Sequence, residues 1–166
     1  MANNYISINE KKIPLTDEQV EQIKSAGIVK DNPFERVAKK MNHYYINFAG
    51  IVESVTDDYD IDDDACYQNA NYCTDRKLME QRALHETLNR LLWRFSMTHG
   101  GDEIEWGNLT DKYFTYFDYT SSKYQITATH DFRSFSEVYF KDEKTVCLAV
   151  KEIVKPFMKE HPEFVW

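Results

Sequence analysis

Between residues 42 and 75 the sequence has no lysine and no arginine, yet the same stretch holds eight aspartates and glutamates. The net charge of −8 is therefore local, because the flanking segments are close to balanced. Cysteine is also scarce: Cys66, Cys73 and Cys147 are an odd number, lack a CxxC spacing and have no histidine at a ligand-like offset. Nothing in that count supports a disulfide framework or a zinc module, and the cysteines are expected to be ordinary thiols. No apolar run approaches the roughly 20 residues of a membrane-spanning helix. The opening "MANNYISINEKK" has no basic stretch followed by an apolar one, so the expectation is a soluble protein of the cytoplasm that needs no membrane.

What is present is aromatic and patterned. A chain of 166 residues suits one domain that buries roughly 70% of its unfolded surface, and 11 tyrosines with 10 phenylalanines favour sheet surfaces. "YISINEKKIPL" reads as two short strands around Asn9–Lys12. In "TDEQVEQIKSAG", Thr16 and Gln19 make a capping box and Gly27 a stop. "IVKDNPFERVAKK" reads as a connector with one short helical turn after Asn32.

From about residue 41 the main body begins. "HYYINFAGIVESV" is a hairpin in which Tyr44, Ile46 and Phe48 alternate before Ala49-Gly50, and Ile51 and Val55 share a face after it. "DDYDIDDDACYQN" follows as an acidic loop. Thr74 then caps a long helix whose buried stripe is Leu84, Leu88, Leu91, Leu92 and Phe95, with Glu86–Arg90 as a surface pair and Gly100-Gly101 as its end. A second hairpin puts Tyr113, Thr115, Phe117 and Tyr119 on one face, turns at Thr120–Lys123, and returns through Tyr124, Ile126 and Ala128. A short strand and a helix capped by Asp142 come last, with Val146, Val150, Ile153 and Val154 inward and Pro156 ending or kinking the helix.

The two halves match: hairpin, polar stretch, short tyrosine-containing strand and helix, with "NYCTD" corresponding to "VYFKD". The expected fold class is α+β, with antiparallel hairpins, two main helices and a duplicated ββ(β)α unit. A ββα appendage and connector over residues 1–40 precede the main domain, 41–166.

The succession "NPFERV", "HYYINFAGIVESV", an aspartate-rich stretch, "NYCTDRKLMEQRAL", "KYFTYFDY" and "SEVYFKDEKTVCLAV" resembles small, largely uncharacterised proteins of phages, prophages and mobile elements of gut Firmicutes. This chain departs from their pattern at Ala70, where glycine is common, and at Cys73, where an aromatic is common. The resemblance implies an accessory protein made inside a bacterial host, in a setting where small phage proteins disable CRISPR nucleases and restriction enzymes. It supplies no catalytic residues and no cofactor.

Against that background the acidic stretch has several readings. A calcium loop is disfavoured, because counting from Asp58 the glycine at position six and the glutamate at position twelve are missing. A solvated loop is the plain alternative. Imitation of nucleic acid is the sharper one. Glu53, Asp57, Asp58, Asp60, Asp62, Asp63 and Asp64 would present carboxylates to a basic groove, with Tyr59 and Tyr67 as aromatic anchors.

The chain itself is not expected to bind nucleic acid, since Glu80 and Glu86 dilute Arg76, Lys77, Arg82, Arg90 and Arg94 on the long helix. "DEK" at 142–144 matches the end of a metal-dependent nuclease motif but falls where a helix cap is needed. None of the five histidines pairs with Ser or Cys in a catalytic motif. The functional expectation is a non-enzymatic inhibitor that occludes the basic nucleic-acid-binding groove of a host defence protein, a CRISPR effector or a restriction enzyme. The alternative is a phage structural or assembly module whose acidic loop is merely solvated, in which case a homodimer would suit an exposed apolar patch.

Overall fold

The computed structural model describes residues 5–8, 11–25, 32–134 and 137–166, arranged as α+β in two compact units, 1–80 and 81–166. The division falls at 80/81, whereas the sequence pattern suggests 40/41.

In the first unit, β1 (Tyr5–Ile8) pairs antiparallel with β2 (Lys11–Pro14), and α1 (Asp17–Ser25) follows. The start of α1 is a capping box: the Gln19 amide donates to the Thr16 hydroxyl at 3.2 Å, and the Thr16 amide donates to Gln19 Oε1 at 2.9 Å. The expected turn residues Asn9 and Glu10, and the expected stop at Gly27, lie outside the described residues, while Lys11 and Lys12 belong to β2. Asn32 nucleates the short turn in the connector, its side chain accepting from the Phe34 amide and its carbonyl from the Glu35 amide.

Next, β3 (Asn42–Ile46) and β4 (Val52–Thr56) form the first hairpin, closed through Gly50 at φ +83°. Its free edge on the β3 side is extended by a single bridge, with Tyr44 and Cys73 exchanging backbone hydrogen bonds of 2.7 and 3.0 Å. The Asn71 amide side chain adds the next rung. It accepts from the Ile46 amide and donates to the Ile46 carbonyl, as a backbone peptide would. Ile46 is buried, but Phe48, expected to alternate with Tyr44 and Ile46 along the same strand, is fully exposed, and Ile51 and Val55 are exposed with it.

The expected aspartate loop is corrected by the structure. Residues 61–68 form a helix, α2 (Ile61–Gln68), started by Asp60, whose carboxylate accepts from the Asp62 and Asp63 amides. The reason is local. Aspartate is a strong N-cap, and three further acids in the first turn suit the positive end of the helix dipole. α2 ends in a Schellman motif, in which Asn71 N–H bonds the Cys66 carbonyl and Ala70 N–H the Tyr67 carbonyl. Ala70 sits at φ +55°, a left-handed conformation that costs a non-glycine residue roughly 1–2 kcal/mol. Glycine fits better there.

α3 (Arg76–Thr98) is started by Asp75, whose side chain accepts from the Leu78 amide, rather than by the expected Thr74. The helix passes from the first unit into the second. Leu88, Leu92 and Phe95 are buried along its stripe and Leu84 and Leu91 half-buried, as the helical spacing predicts. Glu86 pairs more closely with Arg82, at 2.8 Å, than with the expected Arg90, at 3.9 Å. Gly100, at φ +82°, stops the helix, and a side chain on Gly101 would collide with the Ser96 backbone.

In the second unit, β5 (Lys112–Asp118) and β6 (Lys123–Thr129) are joined by a turn at Tyr119–Ser122, one residue earlier than expected. Tyr113 and Phe140 then exchange backbone bonds of 2.9 and 2.7 Å, repeating the Tyr44–Cys73 bridge of the first unit. Asp142 caps α4 (Glu143–Ala149) through the Thr145 amide at 2.7 Å, as Asp75 caps α3. The sequence correspondence of "NYCTD" with "VYFKD" is thus matched by equivalent local structure.

Pro156 does not end this helix. A π-helical turn at Val150–Val154 leads into α5 (Lys155–Glu160), which carries Pro156 in its first turn, where a missing N–H is tolerated. Phe140, Val146, Ala149 and Val154 are wholly buried, with Phe157 and Phe164, against the α3 stripe and the Tyr113–Tyr124–Ile126 face of the hairpin. Each of the valine and phenylalanine side chains among them contributes roughly 1.5–3 kcal/mol by leaving water.

Candidate functional site

The acidic segment is folded around one cation that its own sequence neighbourhood lacks. Arg36 reaches Asp57 with a bidentate fork, Nε to Oδ2 at 2.9 Å and Nη2 to Oδ1 at 3.0 Å, and its Nη1 bonds Asp64. Asp57 is completely buried. Tyr72 completes its shell by donating its hydroxyl to Oδ2 at 2.9 Å, and the Tyr59 amide donates to Oδ1 at 2.9 Å. Burial alone would raise the Asp57 carboxyl, but the guanidinium and these two donors together hold it below its ordinary 3.8. A buried carboxylate is tolerable only with such a shell.

The other aspartates are also engaged. Lys40 pairs with Asp58. Buried Asp63 accepts from the Asp58 amide at 2.7 Å and closes the α2 capping box with Asp60. Tyr59 and Tyr67, expected as anchors for a partner, flank Arg36, with the guanidinium carbon 4.3 and 5.8 Å from their ring centres. The Tyr59 hydroxyl donates to the Val37 carbonyl at 2.9 Å.

Of the nine residues expected to face a partner, then, Asp57 and Asp63 are corrected to interior structural groups. Asp58 and Asp64 are half-buried, and Glu53, Tyr59, Asp60, Asp62 and Tyr67 are exposed. Glu53 is held by the Tyr45 hydroxyl at 2.7 Å and the Asn47 amide at 2.6 Å. The alternating Asp58, Asp60, Asp62 and Asp64 straddle the start of α2 rather than lining one loop. Among the described residues no group of three or more His, Cys, Asp or Glu side chains could hold a metal ion.

The sequence reading missed three features. Arg36 lies 21 residues from Asp57, and no local signal links them. His43 is wholly buried with neither ring nitrogen hydrogen-bonded among the described residues, and it stacks on Tyr72 at 3.9 Å. The third is an apolar surface: Phe48, Ile51, Val55 and Ile61 are exposed in the same unit that exposes Asp60 and Asp62. The alternation rule hid this last one, because it assigns Phe48 to the face of Ile46.

Burial lowers the His43 pKa from its ordinary 6.5, against the opposing pull of Asp57 and Asp63 and with some help from Arg36. The unfolded chain therefore takes up this proton first, and stability that is complete above about pH 6.5 falls as the pH drops through the folded-state value. Asp57, whose folded-state value is depressed, loses its contribution in a second stage below about pH 4. Urea midpoints measured from pH 8 to pH 5 are expected to decline, and His43→Phe is expected to flatten that decline. An unchanged slope in the variant would assign it to other groups.

Among the described residues no helix is long and apolar enough to cross a membrane. Comparison of the chain with protein-family models, with curated proteins and with solved structures found no match.

Proposed function

We propose that the chain is a binding protein whose first unit presents an acidic surface with apolar anchors to a basic protein. The observation that carries this is the exposure of Asp60, Asp62 and Glu53 in the same unit as exposed Phe48, Ile51 and Ile61. Protein interfaces combine an apolar centre with a charged rim, and the charge supplies steering and selectivity more than affinity. Arg36 and Lys40 offset part of the acidity, but the segment keeps a clear negative excess. A partner that normally holds nucleic acid offers the matching basic groove. In the phage setting suggested by the resemblance, that partner is a host defence protein such as a CRISPR effector or a restriction enzyme, inhibited by occlusion.

The test is capture of partners from a Firmicute host lysate, with duplex DNA as competitor. A nucleic-acid-handling protein released by DNA and by salt is the expected result. The triple variant Glu53→Gln, Asp60→Asn, Asp62→Asn should weaken its binding about tenfold, from roughly 0.5 kcal/mol for each exposed charge. Binding indifferent to DNA and to these substitutions would sink the reading.

A second reading, a structural or assembly module, is favoured by one observation. β4 is paired only with β3 among the described residues; it carries exposed Val55, and the turn that leads into it exposes Phe48 and Ile51. Such an edge recruits further strands or a second copy. A concentration-dependent dimer by light scattering that Phe48→Ser abolishes would select it.

A further inference from the structure

The first hairpin is closed on one edge and open on the other. On the β3 side the ladder continues, because the N–H and C=O of Tyr44 are both taken by Cys73 and those of Ile46 by the Asn71 side chain. These residues therefore turn their backbone groups away from β4. In an antiparallel ladder the residues directly opposite such positions turn theirs away as well. Val52 lies opposite Ile46 and Ser54 opposite Tyr44, so each aims an N–H and a C=O at the far edge of β4. Among the described residues no strand pairs with that edge, and these four groups have no hydrogen-bond partner.

The side chains beside the edge follow a pattern. Glu53 and Val55 lie opposite Tyr45 and His43, and Asn47, whose N–H bonds the Ile51 carbonyl, reaches Glu53 with its side chain at 2.6 Å. Ile51, Glu53 and Val55 thus alternate along one face, and all three are exposed. Glu53 accepts from two neutral donors, the Tyr45 hydroxyl and the Asn47 amide, and among the described residues no lysine, arginine or histidine pairs with it. An ionised carboxylate has about four acceptor positions, so half of its capacity remains.

A strand laid along β4 would take its backbone bonds from Val52 and Ser54 and set alternate side chains beside Ile51, Glu53 and Val55. The complement of that row is apolar, cationic, apolar. A second copy fits less well, because the antiparallel self-pairing that sets Val55 against Ile51 also sets Glu53 against Glu53, and like charges directly opposite are destabilising. The chain itself offers no lysine or arginine anywhere from residue 42 to 75.

We propose that the open edge of β4 binds an extended basic segment of another protein as an added strand, with a lysine or arginine beside Glu53 and apolar residues beside Ile51 and Val55. This rests on the reading of the first unit as an acidic binding surface and specifies its mode of contact.

The experiment is a titration of the full-length protein with the blocked peptide acetyl-Thr-Val-Thr-Lys-Thr-Val-Thr-amide, followed by ¹H–¹⁵N correlation spectra and amide hydrogen exchange. Two control peptides carry glutamate in place of the lysine, or N-methyl groups on the two threonines that flank it. Saturable shifts are expected, with exchange at the Val52 and Ser54 amides slowed about tenfold or more while the Glu53 and Val55 amides, already turned toward β3, change little. The glutamate peptide should bind about tenfold more weakly, and Glu53→Lys should reverse that order. The N-methylated peptide should not bind, since it lacks the donors that an added strand needs. Ser54→Pro removes an N–H that β3 does not use, so it should keep the hairpin and lose the peptide.

Absence of saturable binding overturns the proposal. So does binding that leaves Val52 and Ser54 unprotected or that tolerates N-methylation, a test that requires no variant of the protein. Protection of the same amides by raising the protein concentration alone would give the edge to a second copy and overturn it too. If a host protein is captured and released by DNA while no peptide protects β4, only this inference fails. If the peptide adds to β4 but no such host protein is captured, only the defence-protein reading fails.

Discussion

Replacing Arg36 with alanine is expected to destabilise the first unit by about 3 kcal/mol, the lower end of the range for removing one partner of a buried ion pair. The choice of the lower end follows from exposure: Asp57 is wholly buried, but the Arg36 side chain is 23% exposed, so water screens part of its charge. Loss of Arg36 strips Asp57 of its bidentate partner, releases Asp64, and empties the slot beside Tyr59. The carboxylate then keeps only the Tyr72 hydroxyl and the Tyr59 amide. Such a group regains a tolerable energy by taking up a proton, so the variant's deficit should shrink as the pH falls through the acidic range, opposite in sign to the loss of the Asp57 contribution in the unsubstituted protein.

Asp57→Asn in the Arg36→Ala background is the informative companion. It removes the orphan charge while keeping the shape, and should recover part of the loss. Urea denaturation monitored by tyrosine fluorescence measures both variants, and a loss below ~1 kcal/mol for Arg36→Ala would show that the fork is ornamental.

The second large effect is expected at Phe140, where alanine should cost about 3–5 kcal/mol by deleting a buried aromatic side chain and leaving a cavity. Phe140 is wholly buried, and it belongs to the cluster that joins α3, the β5–β6 hairpin and α4. Its backbone is fixed on both sides, by the Tyr113 bridge and by the Asp142 cap two residues on, and its neighbour's carbonyl accepts from Ser96 at 2.6 Å. Collapse around the cavity is therefore restricted, which puts the cost toward the upper end. Phe140→Leu, which keeps most of the volume, should cost well under half as much. Equal losses for alanine and leucine would point to ring-specific contacts rather than volume.

The comparison with Cys73 shows what the repeated motif requires. Cys73 takes the same bridging place in the first unit and is just as buried, but a thiol fills much less space than a phenyl ring. The strand survives because the bridge is made by backbone atoms, while the side chain only has to match the room available. Cys73 also exchanges contacts with Asp75 through its sulfur, which steadies the start of α3.

Much of the secondary structure could be read from the chain alone, because its causes lie within a few residues. The Thr16–Gln19 box, the Leu88–Leu92–Phe95 stripe, the Asp142 cap and the glycine stop at 100 are local devices, and local sequence encodes them. The correspondence of the two halves was legible for the same reason. Where the local reading failed, two local signals competed or a longer-range one won. Asp60 could open a loop or cap a helix, and the capping box with Asp63 favoured the helix. Thr74 and Asp75 could each start α3, and the carboxylate took the role. Pro156 could stop its helix, yet the π-helical turn before it let the chain continue.

The fate of the aspartates could be decided only in three dimensions. The sequence determined that the acidity is local and that its own stretch holds no cation. Only the tertiary fold brought Arg36 and Lys40 across from the connector, took Asp57 and Asp63 inside, and left Asp60 and Asp62 facing solvent. The physical reason is that burying a carboxylate requires several donors at once, and these come from chain segments as distant as Arg36 and Tyr72. Such a set has no periodicity and no spacing to betray it. Charge and cap are properties of a sequence, whereas burial and pairing belong to the fold.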